Sequence, residues 1–292
     1  MSERSKPRGN ERGGFFVGHN IVFWSPVPGQ TGNTTNLIAV AALLGLEYSS
    51  RIVLFGHLQS RRAAVEQALI KRRSEDMLAF TADSGIDALA RLAQNGKLSP
   101  EMIRDYTLPL LQERLDLLPG SNKADKALIM GMKDMLAPLL DSAKRYYDLT
   151  LIDGGSGVGS GWTQLLLQNA DLVIVSLNQN RFVLERFFRH REDWLKGKKL
   201  LFVLGQYDRD SALTAKNMVR KYRVKMPIYP VPHQAGFMDA AQEGRAIDFL
   251  FRNRNVPRDH AHHAFMQCVR ALAQAIIEQA ELNKPFFGGK GV

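Results

Sequence analysis

The sequence predicts an α/β protein with a doubly wound, mainly parallel sheet of seven strands and helices on both faces, and three observations carry that prediction. Short β-rich runs alternate with helical stretches along the chain. A polar loop with two glycines joins the first of these runs to a helix without charge. An aspartate ends a later hydrophobic run and leads directly into glycines, which is where a doubly wound sheet places its ligand crevice.

The elements follow in order. Ile21–Trp24 is the first strand, Pro28-Gly29-Gln30-Thr31-Gly32-Asn33-Thr34-Thr35 the loop, and the apolar stretch from Asn36 to Leu46 a buried helix. Further strands are expected at Arg51–Phe55, Arg114–Leu118, Leu149–Asp153, Leu172–Ser176, Leu200–Leu204 and Ile228–Val231. Helices are expected at Arg61–Arg73, Ile86–Asn95, Pro100–Tyr106, Asp125–Tyr146, Phe182–Lys196, Ser211–Tyr222 and Asp259–Leu282. The region 61–113 reads as a helical elaboration of the same sheet. No repeat or internal linker is visible, so residues 15–283 read as one domain between a flexible basic tail (1–14) and a flexible C-terminal tail (284–292).

Composition narrows the function classes. With 292 residues, 45% hydrophobic and 23% charged, the chain suits a full globular core and no disordered or fibrous class. Its single cysteine, Cys268, excludes a disulfide framework and a cysteine-rich zinc site. No apolar N-terminal segment follows the first basic residues and no run approaches the length of a membrane span, so a cytoplasmic protein is expected, with peripheral membrane association left open. The net charge of +10 and the pI near 9.8 favour polyanions, either nucleic acid or an acidic lipid surface.

The loop is read in two ways. In a phosphate-binding loop, backbone N–H groups and the positive helix end hold phosphates, a lysine neutralises the outer ones, and a hydroxyl binds magnesium. Here the glycines and the Thr34 hydroxyl are present and Asn33 stands in the lysine's place. The same residues also suit a polar turn between strand and helix. Asp153, followed by Gly154 and Gly155, is similarly either a magnesium-holding aspartate before a switch loop or a cap for the next helix.

On these pieces and their order, the chain resembles the ParA/MinD group of P-loop ATPases with the deviant Walker A motif, and within it the CpaE/TadZ branch attached to Flp-type pilus assembly. The resemblance covers roughly residues 20–252. It includes the strand from Tyr147 to Gly155, the strand Ala170–Ser176, the segment Leu200–Asp208, and the late segment Ile228–Gly244 with Pro232, Ala240 and Gly244.

Departures from the family pattern fall on residues that do chemistry. The family loop reads Lys-Gly-Gly-x-Gly-Lys-Thr-Thr; here Pro28 replaces its signature lysine, Gln30 its second glycine and Asn33 its second lysine. The two aspartates after the second strand are replaced within Phe55-Gly56-His57-Leu58-Gln59, and the adenine-reading asparagine appears as Gly205, followed by Gln206. Losing one preorganised charge costs on the order of 100- to 1,000-fold in rate, so hydrolysis is expected to be weak or absent while anion binding persists.

The resemblance therefore implies a degenerate nucleotide site made of Gly29, Gln30, Thr31, Gly32, Asn33, Thr34, Thr35, Asp153 and Gly154. It would take ATP or ADP, with Thr34 and Asp153 on magnesium if nucleotide binds. It also implies a homodimer and a scaffold role with protein partners of a membrane-associated assembly. Nonspecific DNA binding by the clusters Lys196–Lys199 and Arg220–Lys225, and slow genuine ATP hydrolysis, are the alternatives. His260, His262 and His263 lack the partners of a metal site, and Phe286-Phe287 could dock a partner.

Overall fold

Alternate side chains of the first strand, β1 (His19–Ser25), enter two different cores: Ile21 and Phe23 one, Val22 and Trp24 the other. A strand buried on both sides needs helices above and below it, and that requirement sets the architecture. After β1 come α1 (Asn33–Glu47), β2 (Ile52–Phe55), α2 (Ala64–Leu69), α3 (Gly85–Gln94) and α4 (Met102–Asp105). Then follow β3 (Leu108–Leu111), β4 (Leu115–Leu118), α5 (Leu136–Tyr146), β5 (Leu149–Ser156), α6 (Gly161–Gln168), β6 (Leu172–Leu177) and α7 (Arg181–Arg189). The chain ends with β7 (Lys199–Tyr207), α8 (Ala215–Tyr222), β8 (Ile228–Pro232), α9 (Ala235–Gln242), α10 (Ala246–Asn253) and α11 (His263–Gln279). The structure is a computed structural model and describes residues 17–56, 64–71, 85–121, 134–159, 161–189 and 195–282. Both expected tails, His57 and Phe286-Phe287 lie outside the described residues, as do parts of the helices expected at 61–73, 125–146 and 182–196.

The sheet has eight strands in the order β3-β4-β2-β5-β1-β6-β7-β8. Every neighbouring pair is parallel except β3 and β4. The doubly wound class is as the sequence predicts, but the count of seven is corrected by β3, which falls in the region read as helical. Leu108-Pro109-Leu110-Leu111 shows no polar alternation, and its proline fits only at a sheet edge, which is where β3 lies.

Helices α1, α2, α9, α10 and α11 cover one face, and α3, α5, α6, α7 and α8 the other. The side chains from Leu37 to Leu44 of α1 are all buried, so its uniform apolarity reflects enclosure and not a membrane. Arg270 of α11 pairs bidentately with Glu47 at the end of α1, with Nε 3.0 Å from both carboxylate oxygens. Helices α6, α9 and α10 were not among the expected elements; at eight residues each they are too short for an apolar period to build up. Helix α8 starts later than Ser211 because Thr214 caps it, its Oγ1 accepting from Asn217 N at 3.2 Å. The chain crosses over β1 between β5 and β6, which puts the end of β1 at the point where the winding direction reverses.

Candidate functional site

The loop between β1 and α1 occupies that reversal point. Pro28, Gly29 and Gln30 are exposed, while Thr31 is buried at 2% exposure. Gly29 and Gly32 both have left-handed backbones (φ 72° and 63°), which glycine adopts without steric cost. Gly32 immediately precedes α1, offers no side-chain acceptor to the first-turn N–H groups, and is followed by no acid in that turn. The helix end is thus left with the donors and positive dipole that receive an anion.

Behind the loop, the β1–β5 register sets Phe23 opposite Asp153. Asn33 folds back between them: its Nδ2 donates to Phe23 O and to Asp153 Oδ1, both at 3.1 Å. Thr34 Oγ1 donates to Asp153 Oδ2 at 2.6 Å, and Gly155 N donates to Asp153 Oδ1 at 2.9 Å. Asp153 is 3% exposed, and all three of these donors are uncharged. Asn33 Oδ1 is buried without a partner. An uncharged amide therefore fills the volume behind the loop.

Neighbouring elements clamp the loop. A Cβ on Gly205 would lie 2.0 Å from Thr31 O, so only glycine lets β7 approach this closely. The next residue, Gln206, has a left-handed backbone (φ 52°), unusual for a residue with a Cβ. Its Nε2 rests 2.9 Å from the Cβ position of Gly32, and its Oε1 is 2.7 Å from His233 Nδ1. Asn178 Nδ2 donates to Gln30 Oε1 at 3.3 Å, and the Thr35 hydroxyl points at Met238 Sδ, 3.8 Å away. Past β5, Trp24 Nε1 donates to Gly157 O at 2.7 Å, and Thr163 Oγ1 donates to Gly154 O at 3.2 Å. All nine residues singled out in the sequence lie on this loop, the first turn of α1 and the facing end of β5.

Sequence reasoning missed Glu66. It is 7% exposed on α2, and its Oε1 accepts from Gly120 N at 2.9 Å while Oε2 has no partner. Burial raises its pKa, and the Asp153 charge adds to the rise, against the lowering effect of the Gly120 hydrogen bond. The available signal was a glutamate with Leu69 and Ile70 at i+3 and i+4, an acid on an apolar helix face. The coupling of Gln206 to His233 was also missed; it joins residues 27 apart and leaves no local pattern.

Elsewhere, Lys198 serves the fold by donating to Gln168 O and Ala170 O. The rings of His260 and His262 are 4.8 Å apart, with His262 against Phe249, and among the described residues no group of three His, Cys, Asp or Glu could hold a metal ion. No helix of the described residues is long and apolar enough to cross a membrane.

No family model matches the sequence, and no curated protein matches it either. Solved structures do match. A ParA family ATPase from Chlorobium tepidum TLS superposes with a TM-score of 0.67 at 13% identity, covering 88% of this chain and 98% of that one. The cell division ATPase MinD of Pyrococcus furiosus gives 0.62 at 18% identity, with 90% and 99% covered. The chain has the ParA/MinD fold. A third structure, the septum site-determining protein MinD of Pyrococcus horikoshii OT3 complexed with Mg-ADP, gives 0.60 at 19% identity over 91% and 100%. Coverage this complete makes the ParA/MinD fold a description of nearly the whole chain, including the strands that carry the loop and Asp153.

Proposed function

We propose that this protein is a catalytically degenerate ParA/MinD-like scaffold that positions or assembles a membrane machine such as a Flp/Tad-type pilus or secretion system, in the manner of the CpaE/TadZ branch. The observation that supports it is Asn33, which ties the loop to Phe23 and Asp153 with an uncharged amide. The backbone of Gly29–Thr35 fits a phosphate group, because the two left-handed glycines leave the helix end open. Thr34 and Asp153 fit a magnesium ion, whose oxygen ligands they can supply directly or through water. Bound magnesium would supply positive charge to the phosphates. The loop's own residues would orient the anion along the helix axis, with Asn33 in place of a lysine facing the charge that develops on phosphoryl transfer.

On this reading ATP or ADP is a ligand that sets shape, and the protein works as a homodimer at or near the inner face of the membrane through protein contacts. Steady-state assays with Mg-ATP are expected to show turnover at background level, unchanged by Asp153→Ala. Asn33→Lys is expected to tighten ATP binding about tenfold, from one restored charge-assisted contact, without restoring turnover. Turnover that disappears in Asp153→Ala would instead establish a slow ATPase.

A second reading, a DNA-associated ParA-like positioning protein, is favoured by the face formed by α7 and α8. Phe188 and Tyr222 stack at 4.7 Å to join these helices, which carry Arg181, Arg186, Arg189, Lys216, Arg220 and Lys221 against a single acid, Glu185. Binding to random-sequence duplex that weakens steeply with salt would support it.

A further inference from the structure

Glu66 lies where the sheet would otherwise be empty. Phe55 pairs with Ile152, so Gly56 stands level with Asp153 on the adjacent strand, one strand spacing, about 4.8 Å, away. A Cβ on Gly56 would lie 2.1 Å from Glu66 Oε1 and 2.8 Å from its carboxyl carbon, so the carboxyl fills the space of a side chain at position 56. Packing seats helix α2 at this position. Val65, Ala68 and Leu69 are buried in the core, and Gly244 packs so closely under Ile70 O that a Cβ there would sit 2.2 Å from it.

The pair of acids is incompletely satisfied. Asp153 has uncharged donors only, and Glu66 Oε2, on a residue more than nine-tenths buried, has none. Burial disfavours ionisation of Glu66, and the charge of Asp153 disfavours it further. A small divalent cation removes both penalties at once, since it takes oxygen ligands, needs only one or two carboxylates, and keeps waters that span a gap and donate to a free oxygen.

We infer that Glu66 and Asp153 together form a site for a hydrated divalent cation of the magnesium type, one that takes the ion without nucleotide. The inference rests on the reading of Asp153 as a cation-holding residue, and adds to it an acid delivered by α2 into the space left by Gly56. Asp153 and Thr34 hold the ion from the loop side, and Glu66 holds its water shell from the β2 side.

The test is a titration of Mn²⁺ into the full-length, metal-free protein at pH 8 without nucleotide, following free Mn²⁺ by electron paramagnetic resonance. One ion per chain, displaced by Mg²⁺, is expected. Glu66→Gln, which can keep the Gly120 hydrogen bond, and Gly56→Ala, which displaces the carboxyl without removing it, are each expected to weaken binding about tenfold or more. Melting curves in EDTA verify that both variants are folded, with Glu66→Asp as a further variant should either fail. Unchanged affinity in folded Glu66→Gln, or no Mn²⁺ bound to the wild type at millimolar ion, overturns the proposal. Metal-free ADP binding is measured in parallel: if the wild type binds Mn²⁺ but not ADP, the nucleotide reading fails and the cation site stands.

Discussion

At the amino-terminal edge of the sheet, Asp171 accepts from Asn20 N at 2.8 Å and pairs with Lys144, and Asp148 accepts from Arg51 N at 2.7 Å. At the carboxyl edge, Asp153 has three uncharged donors, and Glu66 has one donor for two oxygens. The first edge places its acids where partners from neighbouring strands and helices complete them, as a structural role requires. The second concentrates buried acid beside an uncapped helix end and, among the described residues, pairs it with no lysine or arginine, an arrangement that costs stability unless something else binds. What separates the two edges is therefore how far the chain completes the acids at each, since His19 Nδ1 and Asn20 Oδ1 at the first edge are also buried without partners.

Mutations can break this comparison. The largest effect is expected from Gly205→Ala, whose new methyl would drive into Thr31 O and force the loop off β7; a loss of about 3 kcal/mol in urea unfolding is expected. Asp171→Ala strands Lys144 and the Asn20 N–H at the amino edge and should cost about 1–2 kcal/mol in the same assay. Asp153→Asn should cost less than about 1 kcal/mol, because an amide can still accept from Asn33 and Gly155 while turning its NH₂ towards Thr34 Oγ1. A reversed order of these last two would remove the distinction between the edges.

The smallest effect is a pH trend. Burial raises the pKa of Glu66, so between the ordinary carboxylate range and that raised value the folded protein holds more protons than the unfolded chain. Stability then falls as pH rises through that window. Glu66→Gln removes this share, so in EDTA its melting temperature should gain on the wild type from pH 4 to pH 8. Asp116 and Asp148, also raised by burial, slope the same way in both proteins and drop out of the difference.

Much of this was legible in the sequence because it is written locally. The loop, Asp153 and seven of the strands are contiguous runs in which residue type and period agree. The edge strand β3 was not, because Pro109 masks strand character that only an edge position allows. Asn33 could be identified as a replacement for lysine, but its bonds to Phe23 and Asp153 depend on the pairing of strands 130 residues apart in the chain. Glu66 was hidden for the same reason: its meaning comes from Gly56 and Gly120, which reach it from the ends of two other strands.

The most direct test of the central claim is calorimetric titration of Mg-ATP and ADP into the purified protein, with Thr34→Ala and Asp153→Ala as controls and sizing with and without ligand. Weak binding lost in both variants, accompanied by no phosphate release, is the predicted result: a crevice that holds nucleotide without consuming it. Sustained phosphate release that Asp153→Ala abolishes would contradict the account and make the protein an ATPase despite Asn33.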